Sequence, residues 1–218
     1  MPQLQNKPQT KIQHKMQNKI YLASKSPRRR ELLRQVGIDF ELLLLRDAMP
    51  RGPDVTEIVH PGELPLKYVS RVTQEKANAA WNFMLARRLP VHPVLAADTT
   101  VVIDQHILGK PANQEEAIQM LRQLSGKTHQ VLTSIAVRYH ETSFECTQTS
   151  DVTFASLTDE QILAYCATQE PYDKAGGYGI QGLAARFISH ISGSYSGIMG
   201  LPLFETTVLL RQAGIQLP

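Results

Sequence analysis

Three arginines stand side by side at Arg28, Arg29 and Arg30, directly behind Ser24-Lys25-Ser26-Pro27. Ser26 is a preferred N-cap residue and Pro27 suits a first helical position, so the arginines fall in the first turn of a helix. A helix N-terminus is already partly positive, and three cations there oppose the macrodipole. A docked phosphate offsets that cost, and the hydroxyls of Ser24 and Ser26 add donors for it. The plain alternative is three arginines in water, which need no ligand. Lys76 interrupts an apolar helical stripe between Val72 and Phe83. A charge there must be paired or must snorkel to solvent. Asp98 follows the apolar run Val94-Leu95-Ala96-Ala97. A carboxylate at the end of a buried strand suits a catalytic group or a magnesium ligand, the alternative being one that caps local backbone.

Two further segments add to this set. Lys110 is a loop cation within Leu108-Gly109-Lys110-Pro111 and means little alone. Gly176, Gly177, Gly179 and Gly182 let backbone approach a ligand, and Gln181 among them offers a base one amide donor and one acceptor. No apolar strand leads directly into these glycines, so they are not the dinucleotide fingerprint. None of the seven histidines forms a spaced metal pair, no serine has a nucleophile-elbow context, and Cys166 falls on an apolar helix face. Covalent catalysis is therefore disfavoured. Arginine, lysine, carboxylate and amide groups remain, a set suited to a polyphosphate and a divalent metal.

The elements that must position these groups mix strands and helices. Ile20–Ala23 reads as a short buried strand, the arginine helix runs to Gly37, and Phe40–Leu45 reads as a strand apolar on both faces. Residues 47–63 carry three prolines and no periodicity, which predicts a long loop. A helix over 64–89 presents Tyr68, Val69, Val72, Ala79 and Phe83 on one face. Val94–Ala97 and Thr99–Ile103 form one strand, with a turn at Asp104-Gln105-His106 before Ile107-Leu108. Asn113 caps a helix, and His129–Tyr139 with Phe144–Phe154 predicts a long hairpin. Thr158 and Gln161 form a capping box for a helix presenting Ile162, Leu163 and Cys166. A strand near 187–191 and a last helix opened by Pro202 complete an α/β arrangement of two lobes around one sheet system.

Composition narrows the class. The chain has 218 residues, 42% hydrophobic and 20% charged, which suits a globular protein with a sizeable core. Its two cysteines stand at no metal or redox spacing, which points to a reducing compartment. The longest apolar run, Leu42 to Leu45, cannot cross a bilayer. A soluble, cytoplasmic protein with no membrane partner is expected. Of a net charge of +3, residues 1–19 carry +4, with Lys7, Lys11, Lys15 and Lys19 and no acid, and the remainder carries −1. This segment reads as a disordered basic tail, with a weak polyanion tether as the other reading, and 20–218 as the folded domain. The body is near neutral, a poor footprint for nucleic acid, so no stable nucleic-acid partner is expected.

Six segments in order resemble one family. They are Leu22 to Leu33, Ala97-Asp98-Thr99, Leu108 to Pro111, Met120 to Gly126, Glu170 to Gly182, and Gly200 to Leu203. Together they look like the signatures of the Maf nucleotide pyrophosphatases, from about Ile20 to Leu210. The resemblance implies an inosine-triphosphatase-like α/β fold with a central cleft between two lobes. It also implies metal-dependent hydrolysis of nucleoside triphosphates to monophosphate and pyrophosphate. Asp98 falls on the family's general base and, with Glu57, on its Mg²⁺ or Mn²⁺ ligands. Arg28, Thr99 and Gln181 match the dTTP/UTP subgroup, and a related subgroup acting on 7-methyl-GTP differs at the first and last of these. Ser24, Arg29, Lys76, Lys110 and Lys174 fall on phosphate-binding positions. Modified pyrimidine nucleotides are a further implied substrate class, and a regulatory nucleotide-binding protein acting on septum formation and cell division is the alternative. A homodimer is left open. Thr56 precedes Glu57, with Asp54 two residues further back, where the family often has two adjacent acids, and Gly177 stands where alanine is common.

Overall fold

The computed structural model of the chain describes residues 19–46 and 54–217. The expected tail lies outside the described residues, apart from Lys19, which opens the first strand. In chain order the elements are β1 (Lys19–Leu22), α1 (Pro27–Gln35), β2 (Asp39–Leu42), α2 (Pro65–Ala86), β3 (Val94–Ile103) and β4 (His106–Leu108). They continue with α3 (Gln114–Leu124), β5 (Thr128–Tyr139), β6 (Thr142–Phe154), α4 (Asp159–Cys166), β7 (Ile188–Ser192), α5 (Tyr195–Ile198) and α6 (Leu203–Gln212). Three 3₁₀ turns, Pro171–Asp173, Ala175–Gly177 and Leu183–Phe187, lie between α4 and β7. Among the described residues no helix is long and apolar enough to cross a membrane.

The caps that residue types predicted are formed. Ser26 Oγ accepts from Arg29 N, Asn113 Oδ1 accepts from Glu116 N, and Thr158 and Gln161 exchange bonds as a capping box. The two-residue turn from β3 to β4 has both Asp104 and Gln105 at positive φ, the backbone that suits the twist of a tight hairpin.

One mixed sheet of seven strands has the order β2-β1-β3-β5-β6-β7, with β4 also on β3. β1 pairs in parallel with β2 and β3, and the remaining pairs are antiparallel. Successive β3 residues alternate between the two faces of this sheet. Val94 and Ala96 pack with Ala77, Ala80, Trp81 and Met84 of α2, and Val102 with its Tyr68, Val69 and Val72. On the opposite face Leu95 and Ala97 pack with Leu32 and Leu33 of α1 and Leu209 and Leu210 of α6. Further along that face Val101 and Ile103 pack with Leu121 and Leu124 of α3 and Ile162 and Tyr165 of α4. The helices on this second face therefore form two separate groups, and the β3 residue between them is Thr99.

Three burial expectations are corrected. The second strand is not buried on both faces: β2 is an edge strand, and Leu42 and Leu44 are 41% and 45% exposed. An apolar run does not reveal how many neighbours a strand will have. The inner face of α2 begins at Tyr68, Val69 and Val72 as expected, then moves to Ala77, Ala80, Trp81 and Met84. Phe83 instead lies under the Arg87 guanidinium, 4.1 Å from its ring centre. In α4 Leu163 is exposed, and Tyr165 joins Ile162 and Cys166 on the buried side.

One buried group makes the core sensitive to acid. His129 on β5 is almost fully buried between Phe154 and Tyr178, with Nε2 2.7 Å from Tyr178 Oη and, among the described residues, no partner for Nδ1. Burial lowers its pKa to about 4. The folded state therefore stays neutral here where the unfolded chain, titrating near 6.5, takes up a proton. Stability from this group is complete above pH 6.5 and falls as the pH drops toward 4, by about 3 kcal/mol in all. Urea unfolding at a series of pH values checks this: His129→Gln, which cannot titrate, should flatten the profile in that window.

Candidate active site

The sheet opens along one edge of β3, and the site lies in that opening. β1 pairs with β3 only as far as Leu22 opposite Leu95, with one more bond from Ala23 N to Leu95 O. β4 joins the same strand from Val101 onward. The stretch from Ala97 to Thr100 thus has β5 on one side and, among the described residues, no strand on the other. A cavity of about 1120 Å³ occupies this gap, and it is lined by every candidate residue: Ser24, Arg28, Arg29, Glu57, Lys76, Asp98, Thr99, Lys110, Lys174 and Gln181.

Alternation along β3 divides the work. Asp98 points to the α2 side and is only 8% exposed. Its Oδ1 accepts from Lys76 Nζ at 2.7 Å, and the same ammonium lies 2.6 Å from Glu57 Oε1. Lys76 is therefore not a snorkelling lysine but the shared partner of two carboxylates. Burial pushes the Glu57 pKa up, but Lys76, Lys110 and Arg29 outweigh it and hold the carboxyl below its ordinary value. Glu57 is placed by its loop. Arg71 grips Glu63 through two parallel bonds of 2.6 and 2.8 Å and donates to Ile58 O at 2.9 Å. Such a fork fixes orientation as well as distance. Tyr68 Oη donates to Glu57 O at 3.2 Å. Burial, with Asp98 and Glu57 nearby, raises its pKa to about 12, so it remains a neutral donor.

Thr99 points the other way, toward α1. Arg29 threads between them: Nε donates to Gly200 O at 2.7 Å, Nη1 to Ala97 O at 2.7 Å and to Ser24 Oγ at 3.2 Å, and Nη2 to Thr99 Oγ1 at 3.1 Å. Four of its five N–H groups are thus spent on protein, and one satisfies a carbonyl that the missing strand leaves open. Arg29 is chiefly a girder joining the first turn, β3 and the loop before α6. Thr99 Oγ1 also lies 3.0 Å from Thr133 Oγ1, which reaches Gly197 O at 2.8 Å. Arg30 turns back to Lys25 O and does not line the cavity. Arg28 is the arginine left facing inward, 3.4 Å from Asp173 Oδ2 across the mouth.

The far wall is the glycine segment. Gly176 has φ +70°, its N–H bonds Gly109 O at 2.9 Å, and a Cβ there would meet Val101 at 2.9 Å. Only glycine fits that approach, and the bond brings Lys110 and Lys174 to the same cavity. Gly177 also has positive φ, so alanine, which costs about 1–2 kcal/mol in left-handed backbone, is less favourable here. Lys174 donates to Glu170 O at 2.6 Å and pairs with Asp173. Gln181 is exposed at the mouth. Tyr68, Asp173 and Glu170 were missed as site residues by sequence reading. Tyr68 looked like a core aromatic, and the contacts of Glu170 with Leu183 and Ala184 and of Asp173 with Arg28 lie outside the acids' own segment.

The carboxylates fit a divalent cation. Asp98 and Glu57 converge on one cationic centre already, the Lys76 ammonium. Among the described residues no group of three or more His, Cys, Asp or Glu could hold a metal ion. Magnesium commonly takes one or two carboxylates and fills its remaining positions with phosphate oxygens and water.

The model of the family described as Maf-like protein matches residues 19–213. A dTTP/UTP pyrophosphatase of Nitrosospira multiformis is 52% identical over 202 residues, covering 93% of this chain and 98% of that one. A dTTP/UTP pyrophosphatase of Ralstonia nicotianae is 53% identical over 199 residues, covering 91% and 95%. A nucleoside triphosphate pyrophosphatase of Haemophilus ducreyi is 45% identical over 201 residues, covering 92% and 98%. Among solved structures, the Staphylococcus aureus Ham1 protein aligns at a TM-score of 0.40 with 15% identity, over 63% of this chain and 72% of that one, a likeness too distant to carry any argument. With about half of the residues identical across nine-tenths of the chain, and the motif side chains gathered in one cleft, the chain belongs to the Maf-like protein family.

Proposed function

We propose that this protein hydrolyses dTTP and UTP to the monophosphate and pyrophosphate in the presence of Mg²⁺ or Mn²⁺, with modified pyrimidine nucleotides among its substrates. The observation that carries the reading is the cavity itself: a buried carboxylate, Asp98, faces a space ringed by Arg28, Lys76, Lys110 and Lys174. Cations in a confined site hold a triphosphate and stabilise the charge that develops on it, whereas one buried carboxylate among them suits a bound water.

The chain's own groups divide the reaction between them. Asp98 Oδ1 is held by Lys76, and Oδ2 has no partner among the described residues, which leaves it to orient a water and accept its proton. Arg28, Lys110 and Lys174 line the cavity around the phosphates and help expel pyrophosphate as an anion. Arg29 and Thr99 keep the open edge of β3 in shape. Gln181 faces the base. Asp98 and Glu57 would hold the divalent cation, which when bound neutralises phosphate charge and makes water more acidic. Pyrophosphate release from dTTP with Mg²⁺, with Mn²⁺ and after chelation tests the reading. Release should require a divalent cation and be restored by adding it back, and undiminished release under chelation would remove the metal from the scheme.

A further inference from the structure

We propose that Glu170 is a positioning residue for base recognition: it holds the turn that carries Gln181, and so governs discrimination between uracil or thymine and cytosine. The proposal rests on the reading of Gln181 as the group that faces the base. Gln181 is exposed, so packing around its own side chain does not fix it. Its direction must come from its backbone. That backbone is the turn Gly179–Gly182, closed by Gly182 N to Gly179 O at 3.1 Å.

The turn rests directly on the Glu170 carboxylate. A Cβ on Gly182 would stand 2.3 Å from the carboxylate oxygens. Glu170 Oε2 accepts from Leu183 N at 2.8 Å, and Oε1 accepts from Ala184 N at 3.3 Å and from Tyr165 Oη at 3.0 Å. Leu183 and Ala184 open the 3₁₀ turn Leu183–Phe187, whose flanking residue Gly182 has no side chain to cap it. Glu170 therefore supplies the cap from outside. All the partners of its carboxyl group donate to it. Tyr165 is fully buried, so the carboxylate is anchored to the core beneath α4. On the other side Glu170 O accepts from Lys174 Nζ, so the same residue also steadies a cation of the site. With both carboxylate oxygens occupied by protein donors, Glu170 acts through Gln181 rather than on substrate.

The test compares kcat/KM for UTP and CTP in the full chain and in Glu170→Gln, Gln181→Ala and the double variant. An amide at 170 must set an N–H against a donor and shift the turn. The UTP-to-CTP ratio should fall by about tenfold or more, mainly through KM for UTP, while kcat on UTP stays within about threefold. If Glu170 acts through Gln181, the double variant should discriminate no worse than Gln181→Ala alone. A wild-type preference that survives Glu170→Gln, or fully additive losses in the double variant, overturns the proposal. Absence of any UTP preference in the wild type overturns the Gln181 reading first, and the proposal with it. Should Glu170→Gln fail to fold, Tyr165→Phe removes a single donor to Oε1. The ratio then falls severalfold, and an unchanged ratio overturns the proposal.

Discussion

Asp98→Asn is expected to lower turnover on dTTP by two or more decades while leaving the fold and nucleotide binding in place. The size follows from the usual contribution of a positioned acid–base group, about 10²–10⁴-fold. The substitution keeps the volume of a buried side chain and removes its charge and proton affinity. Structure should survive, because Lys76 keeps Glu57 as a partner at 2.6 Å. Binding should also survive, because the cations lining the cavity are untouched. Single-turnover kinetics and titration with a non-hydrolysable UTP analogue separate the two effects. Turnover within tenfold of wild type would remove Asp98 from the mechanism. A parallel loss of thermal stability would show instead that the Lys76 pairing is chiefly structural.

Across the common nucleoside triphosphates, dTTP and UTP should be hydrolysed far better than CTP and the purines. A Gln amide offers one donor and one acceptor, matching O4 and N3–H of uracil or thymine. Cytosine reverses that pair, with a donor at N4 and an acceptor at N3. The amide of Gln181 could flip to follow it unless its surroundings hold it, and the Gly179–Gly182 turn seated on Glu170 provides that hold. Buried polar groups left unpaired with the wrong base discriminate by about 10⁴, and Gln181, exposed at the mouth, should reach less than that. Gln181→Glu keeps the size and removes the donor, so it should depress UTP hydrolysis most and narrow the gap to CTP. Little discrimination at the ribose 2′ position is expected, since a deoxy and a ribo substrate are both proposed. Measured kcat/KM values for the panel, with 7-methyl-GTP included, decide the matter, and a preference for ATP or 7-methyl-GTP would end the pyrimidine reading.

Much of the site was legible in the chain because its signals are local. Ser26 and Pro27 set the start of α1 through one cap and one fixed φ, and this placed Arg28 and Arg29 at a helix N-terminus. The apolar run before Asp98 suggests a strand's end, yet β3 stays buried on to Ile103 and Asp98 lies in its middle; the odd charge of Lys76 in an apolar stripe required either pairing or snorkelling, and the structure shows pairing. Turn chemistry and capping boxes act within a few residues, so residue type alone determines them. What tertiary structure decided was the partner of each group. The opening beside Asp98 exists because β1 stops pairing at Leu95 and β4 starts at Val101, and β1 is distant in sequence from the β3–β4 hairpin it meets. Arg29 looked like a phosphate ligand and proved to spend most of its donors on Ala97, Thr99, Ser24 and Gly200, since only the assembled sheet exposes those acceptors to it. β2 carried an apolar run yet lies at an edge, because strand order, not hydrophobicity, sets how many neighbours a strand has. Glu170 and Asp173 stood inside a recognisable motif without a legible role: their partners, Leu183, Ala184 and Arg28, meet them only when the chain folds back on itself.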